Sequence, residues 1–145
     1  MVHFFILTSN VNHAQLTIES LKSGKHVFVE KPLALYEKEL KEIVDSYNKF
    51  QKIIMVGFNR RYAPLAFKLK DFFRDRVGPM ISFYRVNAEK IPSDHWIYDK
   101  EQGGNRLISE SCHFIDFLLY ITGSKITEVN TNSISSSSSK PITLT

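Results

Sequence analysis

The sequence has one cysteine, Cys112, among its 145 residues, which excludes an internal disulfide and fits a reducing compartment. Glycine is scarce as well: there are six, and none stands in a GxGxxG pattern, so the phosphate-cradling turn that usually opens a dinucleotide-binding sheet is not in this chain. The five histidines, at 3, 13, 26, 95 and 113, show no HxxxH spacing, and no CxxC accompanies them; no metal site is readable. Long apolar runs are missing too. VHFFIL near the start is six residues with no basic stretch before it, and reads as neither a signal peptide nor a membrane span. The formal charge of +4 comes from dispersed lysines and arginines, with no basic stripe interleaved with aromatics, so nucleic acid is not an expected partner. These absences leave the expectation of a soluble, cytoplasmic protein.

What is present is 43% hydrophobic residues, enough for a real core in one ordinary domain. Residues 2–8, VHFFILT, read as a fully buried strand. SNVNHAQLTIESLKSG follows as a helix, with Asn10 or Asn12 as cap, Ala14, Leu16, Ile18 and Leu21 as apolar positions, and Gly24 as the stop. HVFV at 26–29 is a second buried strand. Residues 36–51 carry Leu40, Ile43, Val44 and Tyr47 on one helical face, and KIIMVGF at 52–58 is a third strand. Continuous apolar strands joined by helices predict βαβ crossovers and a parallel sheet covered on both faces.

Beyond Phe58 the texture changes. A helix starting at Pro64 would turn Leu65, Leu69, Phe72 and Phe73 inward, and Gly78-Pro79 breaks it. MISFYRVNAEK at 80–90 alternates like a half-exposed antiparallel strand. A polar loop leads to a helix ending near Thr122-Gly123. The last segment alternates to about Ser133 and then becomes serine-rich, reading as a flexible loop. The fold class is therefore α/β then α+β. Residues 1–58 read as the second half of a Rossmann-type parallel sheet. Residues 59–145 read as the start of a mainly antiparallel sheet domain with helices on one face. Three parallel strands and one lone alternating strand are little for independent domains, so the chain reads as an internal piece of something larger.

Several groups could do chemistry. Glu30-Lys31-Pro32 falls just past a strand, where open α/β sheets present groups to ligands, and a partly desolvated lysine there is a usable general acid or base. The plainer alternative is a surface pair. In NRLISESCHFIDFLLYITG, helical spacing aligns Ser109, His113 and Asp116, places Glu110 beside His113, and gives Phe114, Phe117, Leu118 and Ile121 the core side. His113 is then either a functional or a structural histidine. Cys112 points about a hundred degrees away from it and reads as a small buried residue. Asn59-Arg60-Arg61 ends the third strand, where arginine suits a phosphate or carboxylate; a surface cluster is the alternative. His95-Trp96 could stack on a sugar ring or plug a domain edge.

Taken in order, TSNVNHAQLTIESLKSGKHVFVEKPLAL, MVGFNRRYAP and GGNRLISESCHFIDFLLYITGS resemble the glucose–fructose oxidoreductase / inositol dehydrogenase / MocA family of NAD(P)-dependent oxidoreductases, from residue 3 to about 133. GKHVFVEKP is the most specific element. The resemblance implies a two-domain enzyme moving a hydride between NAD or NADP and a secondary alcohol or ketone of a sugar, nucleotide sugar or cyclitol. It also implies a homo-oligomer formed through the sheet of the C-terminal domain. On it, Lys31 is the proton donor or acceptor and His113 orients the substrate or relays its proton. Thr8, Asn10, His13, Glu30, Lys31, Asn59 and Arg60 face the cofactor. Arg60, Arg85, His95, Trp96, Glu110 and His113 face the substrate. Many members carry an aspartate four residues before the helix histidine; here that position is Ser109, so either Glu110 substitutes or the proton relay differs. The rival reading is a truncated, non-catalytic protein that keeps EKP as a relic and does not bind the cofactor by itself.

Overall fold

Short runs of aromatic and β-branched residues form three strands, β1 (His3–Ile6), β2 (His26–Val29) and β3 (Ile54–Val56), in a computed structural model that describes residues 3–99 and 101–132. They are parallel, in the order β1-β2-β3, with Ile6 opposite Val29 and Val29 opposite Val56. Helices α1 (His13–Lys22) and α2 (Glu37–Phe50) make the two crossovers. Such crossovers are right-handed, and two in the same direction put both helices on one face, where α1 packs against α2. Under them lies the main core of Ile6, Leu21, Val27 and Val29, all buried, with Leu21 and Val29 wholly removed from solvent. Gly24 (φ +72) ends α1, as its place in the sequence predicts. α2 starts where the Glu39 carboxylate turns back to accept the Leu35 and Tyr36 backbone N–H groups at 2.9 and 3.1 Å.

The sheet is covered on one face, not two. Phe5, Ile53 and Met55 on the other side are 69%, 63% and 39% exposed, and no helix among the described residues lies over them. β1 is correspondingly shorter and more open than a fully buried strand. The amphipathic stripe of α2 is also less buried than its spacing predicts: Ile43 and Ser46 face the core, while Leu40, Val44 and Tyr47 are exposed. Only the part of the stripe that meets α1 and the sheet has a surface to pack against.

After β3 a single turn (Asn59–Tyr62) leads into α3 (Pro64–Phe72), begun by proline as expected. Its buried residue is Ala66; Leu65 and Phe72, expected to face inward, are 75% and 81% exposed. Residues 80–90 form no strand, and Ile81 and Phe83 are exposed. The alternating pattern supplies side chains suited to a sheet, but no neighbouring strand among the described residues offers the ladder that would make one. The mainly antiparallel sheet is therefore not formed among the described residues. The final helix has two parts, a wide π turn (Leu107–Ser111) and α4 (Cys112–Thr122), ended by Gly123 at φ +67. The serine-rich tail lies outside the described residues.

Leu21 has no exposed surface and contacts both the sheet and its own helix, so Leu21→Ala should cost about 2–5 kcal/mol of unfolding free energy. Urea denaturation would show this as a lower midpoint at unchanged slope, with the exposed Leu40→Ala as a near-neutral control.

Candidate active site

The carboxyl ends of the parallel strands gather the polar groups. β2 runs directly into Glu30 and Lys31, and the Lys31–Pro32 peptide is cis. Glu30 Oε2 accepts the Lys31 backbone N–H at 3.2 Å. Behind it sits Gly57, the residue after β3: a Cβ there would lie 3.0 Å from the Glu30 Cδ and both carboxylate oxygens. Gly57 is thus the seat of the Glu30 carboxylate, a role the sequence reading missed. The available signal was a glycine at the end of a strand beside another strand that ends in a carboxylate.

The Lys31 ammonium donates to the Ser109 backbone carbonyl at 2.9 Å, inside the π turn and one helical turn before His113. π turns recur where a helix carries function, because the widened turn disturbs the regular ladder. The polar stripe of this helix faces inward. Ser109 and Asp116 are buried, and His113 is half-buried with its ring edge-on to Phe58, 6.2 Å between centres. Asp116 is taken by Arg61, whose Nε donates to both carboxylate oxygens at 3.0 and 2.8 Å while Nη2 adds a third contact. This pair fastens the Asn59–Tyr62 turn to α4, and Arg61 also lies over the Phe58 and Tyr120 rings. The expected core side, Phe114, Phe117, Leu118 and Ile121, is only half-buried.

His113 Nδ1 is buried and meets no hydrogen-bond partner among the described residues. Burial pushes the His113 pKa below the usual histidine value; the Lys31 and Arg60 cations push it the same way, against weaker opposition from Glu30 and Asp116. At neutral pH the ring is therefore neutral, with a nitrogen open to a partner. Burial also raises the Cys112 thiol, opposed by the Lys31 charge, which keeps it an inert neutral side chain.

The other expected site residues divide in two. Thr8, Asn59 and Arg60 are exposed near the strand ends. Arg60 donates to the Tyr84 hydroxyl at 2.9 Å, and its guanidinium carbon lies 4.7 Å from the Phe114 ring centre. Asn10 and His13, by contrast, are buried and turn their polar atoms inward: the His13 ring nitrogens face the Pro32 and Thr8 carbonyl oxygens at 2.7 and 3.1 Å. His13 braces the end of β1 against the turn after β2. Asn10 caps no helix, since its amide reaches the segment at 103–109. Arg85 bonds locally to Asn87. His95 accepts the Ile97 N–H and lies against Trp96, which is half-exposed. Glu110 is held by Arg106 Nε at 2.6 Å, so its carboxylate serves that arginine.

A cleft of about 680 Å³ lies elsewhere, between α3 and the end of α4. Three of its cations are engaged: Lys70 on the Tyr120 carbonyl, Arg74 on Asp71 and Arg76 on the Gly78 carbonyl.

Residues 3–58 match the family model described as "Oxidoreductase family, NAD-binding Rossmann fold", GFO_IDH_MocA. Over these residues the chain is similar to this family. An uncharacterized oxidoreductase, YrbE, of Bacillus subtilis is 30% identical over 125 residues, covering 86% of this chain and 36% of that protein. The inositol 2-dehydrogenase/D-chiro-inositol 3-dehydrogenase of Lactiplantibacillus plantarum is 30% identical over 122 residues, covering 70% and 35%. A solved levoglucosan dehydrogenase, in complex with NADH and levoglucosan, superposes with a TM-score of 0.72 at 29% identity, covering 82% of this chain and 34% of that one. The chain thus spans about a third of the length of the relatives it matches. Thr8, Glu30 and Lys31 fall inside the family match; His113 is reached by the chain's own folding onto them.

Because unfolding restores an ordinary histidine pKa near about 6.5, the folded protein binds fewer protons there. Stability is therefore full above that value and falls as pH drops through it toward the lowered folded pKa. Proton NMR should find the His113 ring titrating below the ordinary histidine pKa of about 6.5, and His113→Gln should flatten the stability decline between pH 7 and pH 5, the span around that value.

Proposed function

We propose that this chain forms the catalytic junction of an NAD- or NADP-dependent dehydrogenase. Its substrate would be a secondary alcohol, or the matching ketone, on a sugar, nucleotide sugar or cyclitol. The observation that carries the reading is the contact of Lys31, at the end of a parallel strand, with the π turn one helical turn before His113, whose Nδ1 is buried without a partner. The matched Rossmann-fold family and relatives named as inositol and levoglucosan dehydrogenases support it.

The residues suit such a cofactor and substrate. Thr8, Glu30, Lys31, Asn59 and Arg60 stand at the strand ends, open or half-open, with both signs of charge and hydrogen-bonding groups. His113 Nδ1 is a buried polar atom awaiting a partner, which a substrate hydroxyl would supply. A bound nicotinamide supplies the hydride acceptor or donor. In ketone reduction the Lys31 ammonium gives a proton to the substrate oxygen; in alcohol oxidation the neutral amine takes one. Lys31 holds that proton near the reacting oxygen, and the Ser109 carbonyl is its resting partner. The neutral His113 ring orients the hydroxyl. Arg60 is the side on which a sugar would lie, the half-exposed Trp96 is a second stacking surface for one, and a homo-oligomer would form through the sheet of the C-terminal domain.

A fluorescence titration of this chain with NADH and NADPH should give saturable binding with one of them. Lys31→Ala should keep that binding while lowering turnover in a screen of sugars and cyclitols by about 10²–10⁴-fold, the usual worth of a general acid–base group. A folded chain that binds neither cofactor would refute the reading for this chain.

A further inference from the structure

Asn10 was expected to face the cofactor, but its bonds lead elsewhere. It is 8% exposed and stands in the single turn between β1 and α1. Its amide nitrogen donates to the Gly103 carbonyl at 3.3 Å and to the Ser109 hydroxyl at 3.0 Å, residues more than ninety positions away. The Gly103 carbonyl can only accept, so the amide orientation follows from its partner. The Ser109 hydroxyl in turn donates to the same carbonyl, and Ser109 is 3% exposed. The triangle is closed, buried and satisfied at each of these contacts.

Two further features fix it in place. Gly103 lies so near Ile97 that a Cβ would come 2.5–2.6 Å from its backbone atoms, which only glycine permits. Ser109 belongs to the π turn, and its own carbonyl accepts the Lys31 ammonium at 2.9 Å. One residue thus receives Asn10 through its side chain and Lys31 through its backbone.

We propose that Asn10 is a positioning residue for Lys31: by holding Gly103 and Ser109 it sets the carbonyl on which the Lys31 ammonium rests, and so aligns the strand end with the helix of His113. The functional weight of this bracket rests on Lys31 being the acid–base group. Its geometry does not. A buried amide that donates to two acceptors in a distant segment ties that segment to its own turn, and losing it leaves the buried Ser109 hydroxyl without its donor and the Gly103 carbonyl with only the Ser109 hydroxyl. Asn10→Ala would let the π turn drift and free the Lys31 amine.

The test is the rate at which Lys31 is reductively methylated by formaldehyde with cyanoborohydride as the reductant, read by peptide mass mapping, with Lys38 and Lys41 on α2 as internal references. Asn10→Ala should speed Lys31 labelling by about tenfold or more, the order expected when a hydrogen bond to a charged group is loosened. The reference lysines should be unchanged. Ser109→Ala, which removes one acceptor but keeps the backbone carbonyl, should give a smaller increase, and it carries the test alone if Asn10→Ala does not fold. Labelling of Lys31 at the wild-type rate in the folded variants, or an equal rise at all three lysines, overturns the proposal. So does an Asn10→Ala variant with weakened NADH affinity and unchanged Lys31 labelling, which would place Asn10 in the cofactor pocket. Labelling needs no cofactor, so a wild-type chain that binds no NADH would refute the dehydrogenase reading without touching this one.

Discussion

A hydrogen bond from the Lys31 ammonium to the Ser109 carbonyl ties the end of β2 to the π turn before α4. A half-buried ammonium needs an acceptor, because leaving the charge without one costs far more than a neutral group would. The partner comes from 78 residues away, so this bond is made only when the segment leading to His113 docks at the end of β2. Most of what surrounds the site serves that docking. Asn10 ties the π turn to the turn before α1, Arg61 grips Asp116, and Gly104, in the left-handed region at φ +67, brings the loop against Leu35.

The inward polar stripe of α4 follows from the same need. Ser109 and Asp116 sit on the buried side because their partners, Asn10 and Arg61, sit there. The aromatic side of the helix is left half-open. A helix placed by burial alone would do the opposite. Here polar satisfaction decides its rotation, and His113 is carried to the strand ends as a consequence, with burial and neighbouring cations keeping its ring neutral.

The apolar surface left uncovered has a common cause. Phe5, Ile53 and Met55 on the bare sheet face, Leu65 and Phe72 on α3, and Ile81 and Phe83 beyond it all carry patterns suited to burial. Periodicity states which side of an element wants a partner. It does not supply one, and burial requires a second surface.

The sequence by itself determined the three strands, the two crossover helices, the proline start of α3 and the glycine end of α4, because these depend on spacings and caps within a few residues. It also pointed to Lys31 and His113 through motifs. It could not show that Asn10 holds Ser109, that Gly57 seats Glu30, that Glu110 answers to Arg106, or that residues 80–90 stay unpaired. Those outcomes rest on contacts between segments distant along the chain, on whether a neighbouring strand is there to pair, and on which of several nearby charges a carboxylate reaches first. Only the tertiary structure decides them, since local pattern carries a residue's preference but not the identity of its partner.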